Sequence, residues 1–176
     1  MTKTKLAALG AAALLLAASA PAFAHITLEA QQAASGSTYK AVLRVPHGCA
    51  GAATLKVRVQ IPEGFIAVKP MPKAGWTLDI SKGKYEQSYD LWGAKVTEGV
   101  KELSWGGNLP DDYYDEFVFR GTLTSAFAAG ATVYFPVVQE CEGGKVERWI
   151  DIPADGKTTD DYEFPAPGLK ITAPAK

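Results

Sequence analysis

Thr54-Leu55-Lys56-Val57-Arg58-Val59-Gln60-Ile61 decides the fold class. Leu55, Val57, Val59 and Ile61 fall on one parity, and Lys56, Arg58 and Gln60 on the other. Successive side chains of a strand point to opposite faces, so a period of two describes a strand with one dry and one wet face. Upstream, Tyr39, Ala41, Leu43 and Val45 alternate with Lys40, Val42 and Arg44. Downstream, Phe117 and Phe119 alternate with Glu116, Val118 and Arg120. Residues 132–138 and 146–152 are further strand expectations. Breakers separate these runs: Pro46-His47-Gly48, Pro62-Glu63-Gly64, Gly106-Gly107-Asn108, Ala129-Gly130 and Gly143-Gly144. No strong helical period follows the first residues of the chain. Short strands joined by close turns predict an all-β chain folded as a β-sandwich. Residues 155–176, rich in Pro, Asp and Lys, are expected to form a loosely packed tail with room for one final strand.

The amino terminus reads differently. Lys3 and Lys5 precede an apolar run over residues 6–18, and Ala22-Phe23-Ala24 follows with small residues at both ends. A basic start, an apolar stretch and a small-x-small site describe a secretory signal peptide over residues 1–24, cleaved after Ala24. Cleavage leaves 152 of the 176 residues, enough for one domain over residues 25–154 plus the tail. Lys3 and Lys5 leave with the leader, so the mature balance is 16 basic against 19 acidic side chains. That balance argues against a nucleic-acid partner. No later apolar stretch reaches membrane-spanning length, and the sequence predicts an exported, periplasmic protein. In such a compartment Cys49 and Cys141 are expected to pair as a disulfide.

After cleavage the chain begins with His25. An N-terminal histidine offers its α-amine and its imidazole Nδ1, which together close a six-membered chelate ring on a metal. Nitrogen donors in a tetragonal arrangement suit Cu(II). The other histidine, His47, sits in a Pro-His-Gly turn. Its plain reading is an exposed turn residue, and its sharper reading is a second, weaker copper ligand or a transfer site. Oxygen donors must complete any site, and Glu116 on its strand is the leading candidate. Glu29 shares a parity with His25, but an extended strand holds the two about 13 Å apart at roughly 3.3 Å per residue. Met71 is the one methionine left in the mature chain, and the cysteines are expected to be paired. This donor set favours Cu(II) over Cu(I). The amine must lose its proton to bind, so affinity should weaken as pH falls. Trp76, Trp92, Trp105 and Trp149 are expected to be core or half-buried packing residues, one of which could shield a metal.

Several stretches together resemble the YcnI-like copper-binding family of exported bacterial proteins. They are Ala24-His25-Ile26-Thr27, Val45-Pro46-His47-Gly48-Cys49, Ile61-Pro62-Glu63-Gly64, the run from Lys69 to Trp76, Ser104-Trp105-Gly106-Gly107, Asp115-Glu116-Phe117, the run from Pro136 to Gly144, and Arg148-Trp149-Ile150. The resemblance implies an immunoglobulin-like β-sandwich that binds one Cu(II) through a mono-histidine brace. It implies His25 and Glu116 as ligands, and Trp149, or else Trp105, beside the metal. It implies a copper chaperone or carrier in copper homeostasis, not an enzyme. Its partners would be other periplasmic copper proteins or a copper transporter, and a metal-mediated homodimer is a further option. Two other readings compete. A copper oxygenase acting on polysaccharides would need His47 to complete its brace. A structural or adhesive sandwich would carry His25 incidentally, since fold does not fix function.

Overall fold

The computed structural model describes residues 25–174, so the expected leader lies outside the described residues. The strands are β1 (Thr27–Leu28), β2 (Gln32–Ala34), β3 (Thr38–Val45), β4 (Thr54–Gln60), β5 (Phe65–Pro70), β6 (Thr77–Leu91), β7 (Ala94–Leu109), β8 (Asp115–Leu123), β9 (Thr132–Tyr134), β10 (Val137–Cys141), β11 (Val146–Trp149) and β12 (Gly168–Thr172). The order β1-β3-β8-β5 makes one antiparallel sheet, and β11-β10-β4-β7-β6 makes a second. These two pack as an all-β sandwich. A small third sheet, β2-β12-β9, is mixed, with β12 parallel to β2 and antiparallel to β9.

Alternation builds the core as the sequence predicts. Leu43 lies opposite Phe117 and Ala41 opposite Phe119 in one sheet. Val57 lies opposite Trp105 and Val59 opposite Leu103 in the other. All eight are buried, and they face one another across the sandwich. The Trp105 ring stands 5.5 Å from Phe117, and Phe65 meets Phe135 edge-on at 5.5 Å. Such tilted and edge-to-face pairs add about 1 kcal/mol each beyond the area they bury.

Some expectations fail, each for a local physical reason. Leu55 does not share the face of Val57. A bulge between Thr54 and Lys56 in the pairing with β7 shifts the parity, so Thr54 is buried and Leu55 turns outward. The expected single strand over residues 132–138 is two strands in different sheets, β9 and β10, separated at Phe135-Pro136. Pro136 has no N–H to give to a ladder. Gly106 and Gly107 are not a turn. They run inside β7, because a bare Gly107 admits the Trp76 ring, which a Cβ there would meet at 2.4 Å. Trp92 is neither core nor half-buried. It is 87% exposed at the tip of the β6–β7 hairpin, with φ of 49° beside Gly93.

The tail expectation also changes. Residues 155–176 are not uniformly loose, because β12 carries Leu169 and Ile171, 0% and 1% exposed, into the main core. The family of apolar residues that closes the sandwich therefore extends well past residue 154. Among the described residues, no helix is long and apolar enough to cross a membrane.

Candidate metal centre

The antiparallel pairing of β1 with β3 sets Thr27 opposite Arg44 and Leu28 opposite Leu43. His25 therefore lies at the end of the sheet where β3 leaves for Pro46-His47-Gly48. On the facing sheet, β11 is the edge strand, and Trp149 lies opposite Val137 with its side chain turned inward and 2% exposed. The Trp149 ring is 5.8 Å from the imidazole of His25, 6.3 Å from that of His47 and 5.2 Å from Phe164. One indole thus forms a wall shared by both histidines of the chain.

Trp149 is held from behind. Its Nε1–H donates to Gln139 Oε1 at 3.1 Å. Gln139 is fully buried, and its Nε2 donates to the His47 carbonyl and to Thr54 Oγ1, both at 2.7 Å. A single amide in β10 ties β11, the His47 turn and β4 together. The Cys49–Cys141 disulfide brackets this node with Cα atoms 5.9 Å apart, each cysteine two residues beyond His47 or Gln139. The turn is further pinned where Gly48 N–H donates to Asp111 Oδ1 at 2.9 Å. His47 Nδ1 contacts the Gly48 carbonyl, an acceptor to which the ring nitrogen can only donate.

Carboxylates collect around both imidazoles. A hollow of about 360 Å³ is lined by His47, Asp111, Glu147, Glu163 and Trp149 among others. A second, of about 430 Å³, is lined by His25, Asp160, Asp161, Tyr162 and Glu163. Glu163 belongs to both. Glu147 lies opposite Gln139 on the inner face of β11, and its Oε2 is buried with no hydrogen-bond partner among the described residues. Burial pushes its carboxyl above the usual range, and the charges of Asp111 and Glu163 push the same way. His47 and the Ala50 N–H pull against them. Such a cluster favours any cation that enters. The nitrogen and oxygen donors present suit Cu(II), and no thiolate competes, since both cysteines are bonded. Among the described residues, no three His, Cys, Asp or Glu side chains are grouped as a ready metal cage.

Glu116 and Trp105 take the following places. Glu116 is opposite Arg44 on β8, so two strand spacings, about 10 Å, separate its backbone from Thr27 of β1. Its Oε1 accepts from the Tyr114 hydroxyl. Burial and then that carboxylate raise the Tyr114 phenol to about 12. Trp105 sits in the middle of the core, with Nε1 donating to the Met71 carbonyl at 3.3 Å. Of the two tryptophans left open by the sequence, Trp149 is the one beside His25.

Residues 25–171 match the family model described as a domain of unknown function, DUF1775. The chain belongs to the DUF1775 family. The match opens at His25 and runs through β12, in accord with the core contributed by Leu169 and Ile171. The DUF1775 domain is also similar to a solved structure, an uncharacterized protein from Nocardia farcinica with an immunoglobulin-like fold. That likeness has a TM-score of 0.63 at 25% identity, over 84% of this chain and 98% of the other. No curated protein matches the chain.

Sequence reasoning missed Gln139, Glu147 and Glu163. Two of them carried a signal. Gln139 shares the parity of Val137 and Cys141, and Glu147 that of Trp149, so both are polar residues on an apolar face. Glu163 carried none, because its place depends on how the segment before β12 folds back.

Proposed function

We propose that this DUF1775 protein is exported, is cleaved before His25, and carries one Cu(II) in periplasmic copper homeostasis. The observation that carries the reading is the placement of His25 against Trp149, in a hollow shared with Glu163. The α-amine of His25 becomes available only when the peptide bond to Ala24 is cut, so export and metal binding are linked. Amine and imidazole would give two nitrogens to the copper. The oxygen donor implied by the resemblance to the YcnI-like family is Glu116. Glu163, which lines a hollow together with His25, is a second candidate donor. Trp149 would shield one side of the ion, and the scarcity of soft ligands would hold it as Cu(II). These features suit a carrier that takes up and releases its cargo without turnover.

The test is a Cu(II) titration of protein that starts at His25, followed by electron paramagnetic resonance. The control is the same protein with one extra N-terminal residue. One-to-one binding with a nitrogen-rich tetragonal spectrum, lost in the control, is expected. Equal binding by both forms would refute the amine–imidazole chelate.

A further inference from the structure

We propose that a groove beside His25 binds a small organic carboxylate, and that this anion serves as a co-ligand for the metal. The second clause rests on the copper reading above, and the first does not. The groove holds about 280 Å³ and runs from His25 along β1 toward β9 and β12. Its floor is dry: Ile26 and Ala166 are each 1% exposed. Among the described residues, the ionisable groups on its walls apart from the His25 imidazole are Lys157, Lys170 and the phenol of Tyr134, and no carboxylate lines it. Lys170 stands opposite Thr132 in the pairing of β12 with β9. Their strands therefore set an ammonium and a hydroxyl side by side.

The groove is cationic in a molecule whose charges nearly balance, 19 acidic side chains against 18 basic ones. It is also opposite in sign to the other flank of His25, where Asp160, Asp161 and Glu163 line the hollow. His25 stands at the boundary between an anionic hollow and a cationic groove. An ion pair at its rim, Lys157 with Asp161 at 3.7 Å, is exposed and holds its lysine weakly. An incoming anion competes with it at little cost. The apolar floor between the cations and His25 suits a carbon skeleton, with one carboxylate on the lysines and the other near the imidazole. A compact inorganic anion would leave that floor uncovered. The histidine amine and imidazole with one glutamate oxygen would make a three-donor set, and a carboxylate held in the groove would supply a further oxygen.

The probe is succinate, titrated into copper-free protein beginning at His25 and followed by calorimetry and by amide chemical shifts. Saturable binding is expected, with shifts at Ile26, Thr132 and Lys170. The double variant Lys157→Gln/Lys170→Gln should bind about tenfold more weakly, the loss of charge-assisted hydrogen bonds, with unchanged thermal unfolding. Absence of saturation, equal affinity in the variant, or equally tight binding of inorganic phosphate at the same amides would overturn the carboxylate site. A second arm records the Cu(II) resonance spectrum with and without succinate. A change in the parent protein that is absent in the double variant supports the co-ligand role. An unchanged spectrum in protein that binds both copper and succinate removes that role. Succinate binding in protein that fails to bind copper sinks the copper reading while leaving the anion site standing.

Discussion

Replacing Gln139 by leucine should damage both the fold and the candidate centre, and the structure gives the size of the effect. Leucine keeps the approximate volume and fills the same buried space. It removes three hydrogen bonds: to Trp149 Nε1, to Thr54 Oγ1 and to the His47 carbonyl. Trp149 and Thr54 are 2% and 0% exposed, so water cannot replace the lost partner without a cavity opening. Three orphaned groups at about 1–2 kcal/mol each amount to roughly 3–6 kcal/mol, and the added apolar burial of leucine offsets about 1–2 of that. The net loss should be about 3 kcal/mol, a large part of the ~5–15 kcal/mol that holds a domain together. For a domain of this size that corresponds to a fall in Tm of roughly 6–12 °C. The assay is equilibrium unfolding in urea with the disulfide intact, followed by tryptophan fluorescence. An unchanged slope with a lower midpoint is expected. A loss below about 1 kcal/mol would refute the claim that this amide organises Trp149 and the His47 turn, since even one orphaned buried group should exceed it.

Other outcomes follow from the same site. Removing the Cys49–Cys141 bond, which spans 92 residues, with the double variant Cys49→Ala/Cys141→Ala should lower stability by about 4–5 kcal/mol in the loop-entropy picture; calorimetry showing no change in Tm would contradict it. Burial raises the Glu147 carboxyl, so the folded state binds its proton more tightly than the unfolded state does. The stability it lends is present below the ordinary value of 4.5 and is lost as pH rises through the raised value. Glu147→Gln, neutral at every pH, should therefore melt above the parent at neutral pH, with the gap closing in acid; a gap that widens in acid would reverse the sign of this argument. Glu163→Gln and Glu116→Gln separate the two proposed oxygen donors. The variant of the true donor should weaken Cu(II) binding by about tenfold, the worth of a charged ligand, while the other binds as the parent does.

Much of the sandwich was legible in the sequence because side-chain parity is a local property. Each of β3, β4 and β8 shows its inner face in a few consecutive residues, and Leu43, Val57, Phe117 and Phe119 went where alternation sent them. The disulfide was legible as well, since a chain with two cysteines has one intramolecular pairing to make. Parity stopped being informative where the backbone broke its own period. The bulge at Thr54 turned Leu55 outward, and Pro136 divided one apparent strand between two sheets. Neither event changes the apolar pattern that a reader of the sequence sees.

The centre itself was decided by tertiary structure. The small-x-small pattern ahead of His25 is read from a few consecutive residues and needs no fold to be seen. The sequence could not choose between Trp149 and Trp105, because both are large apolar residues on buried strand faces. Only the pairing of β11 at the sheet edge brought Trp149 to His25 and His47, while the middle of β7 carried Trp105 into the core. Gln139, Glu147 and Glu163 gained their roles in the same way. Hydrogen bonds and charge clusters join residues distant along the chain, and their geometry exists only once the sheets have closed.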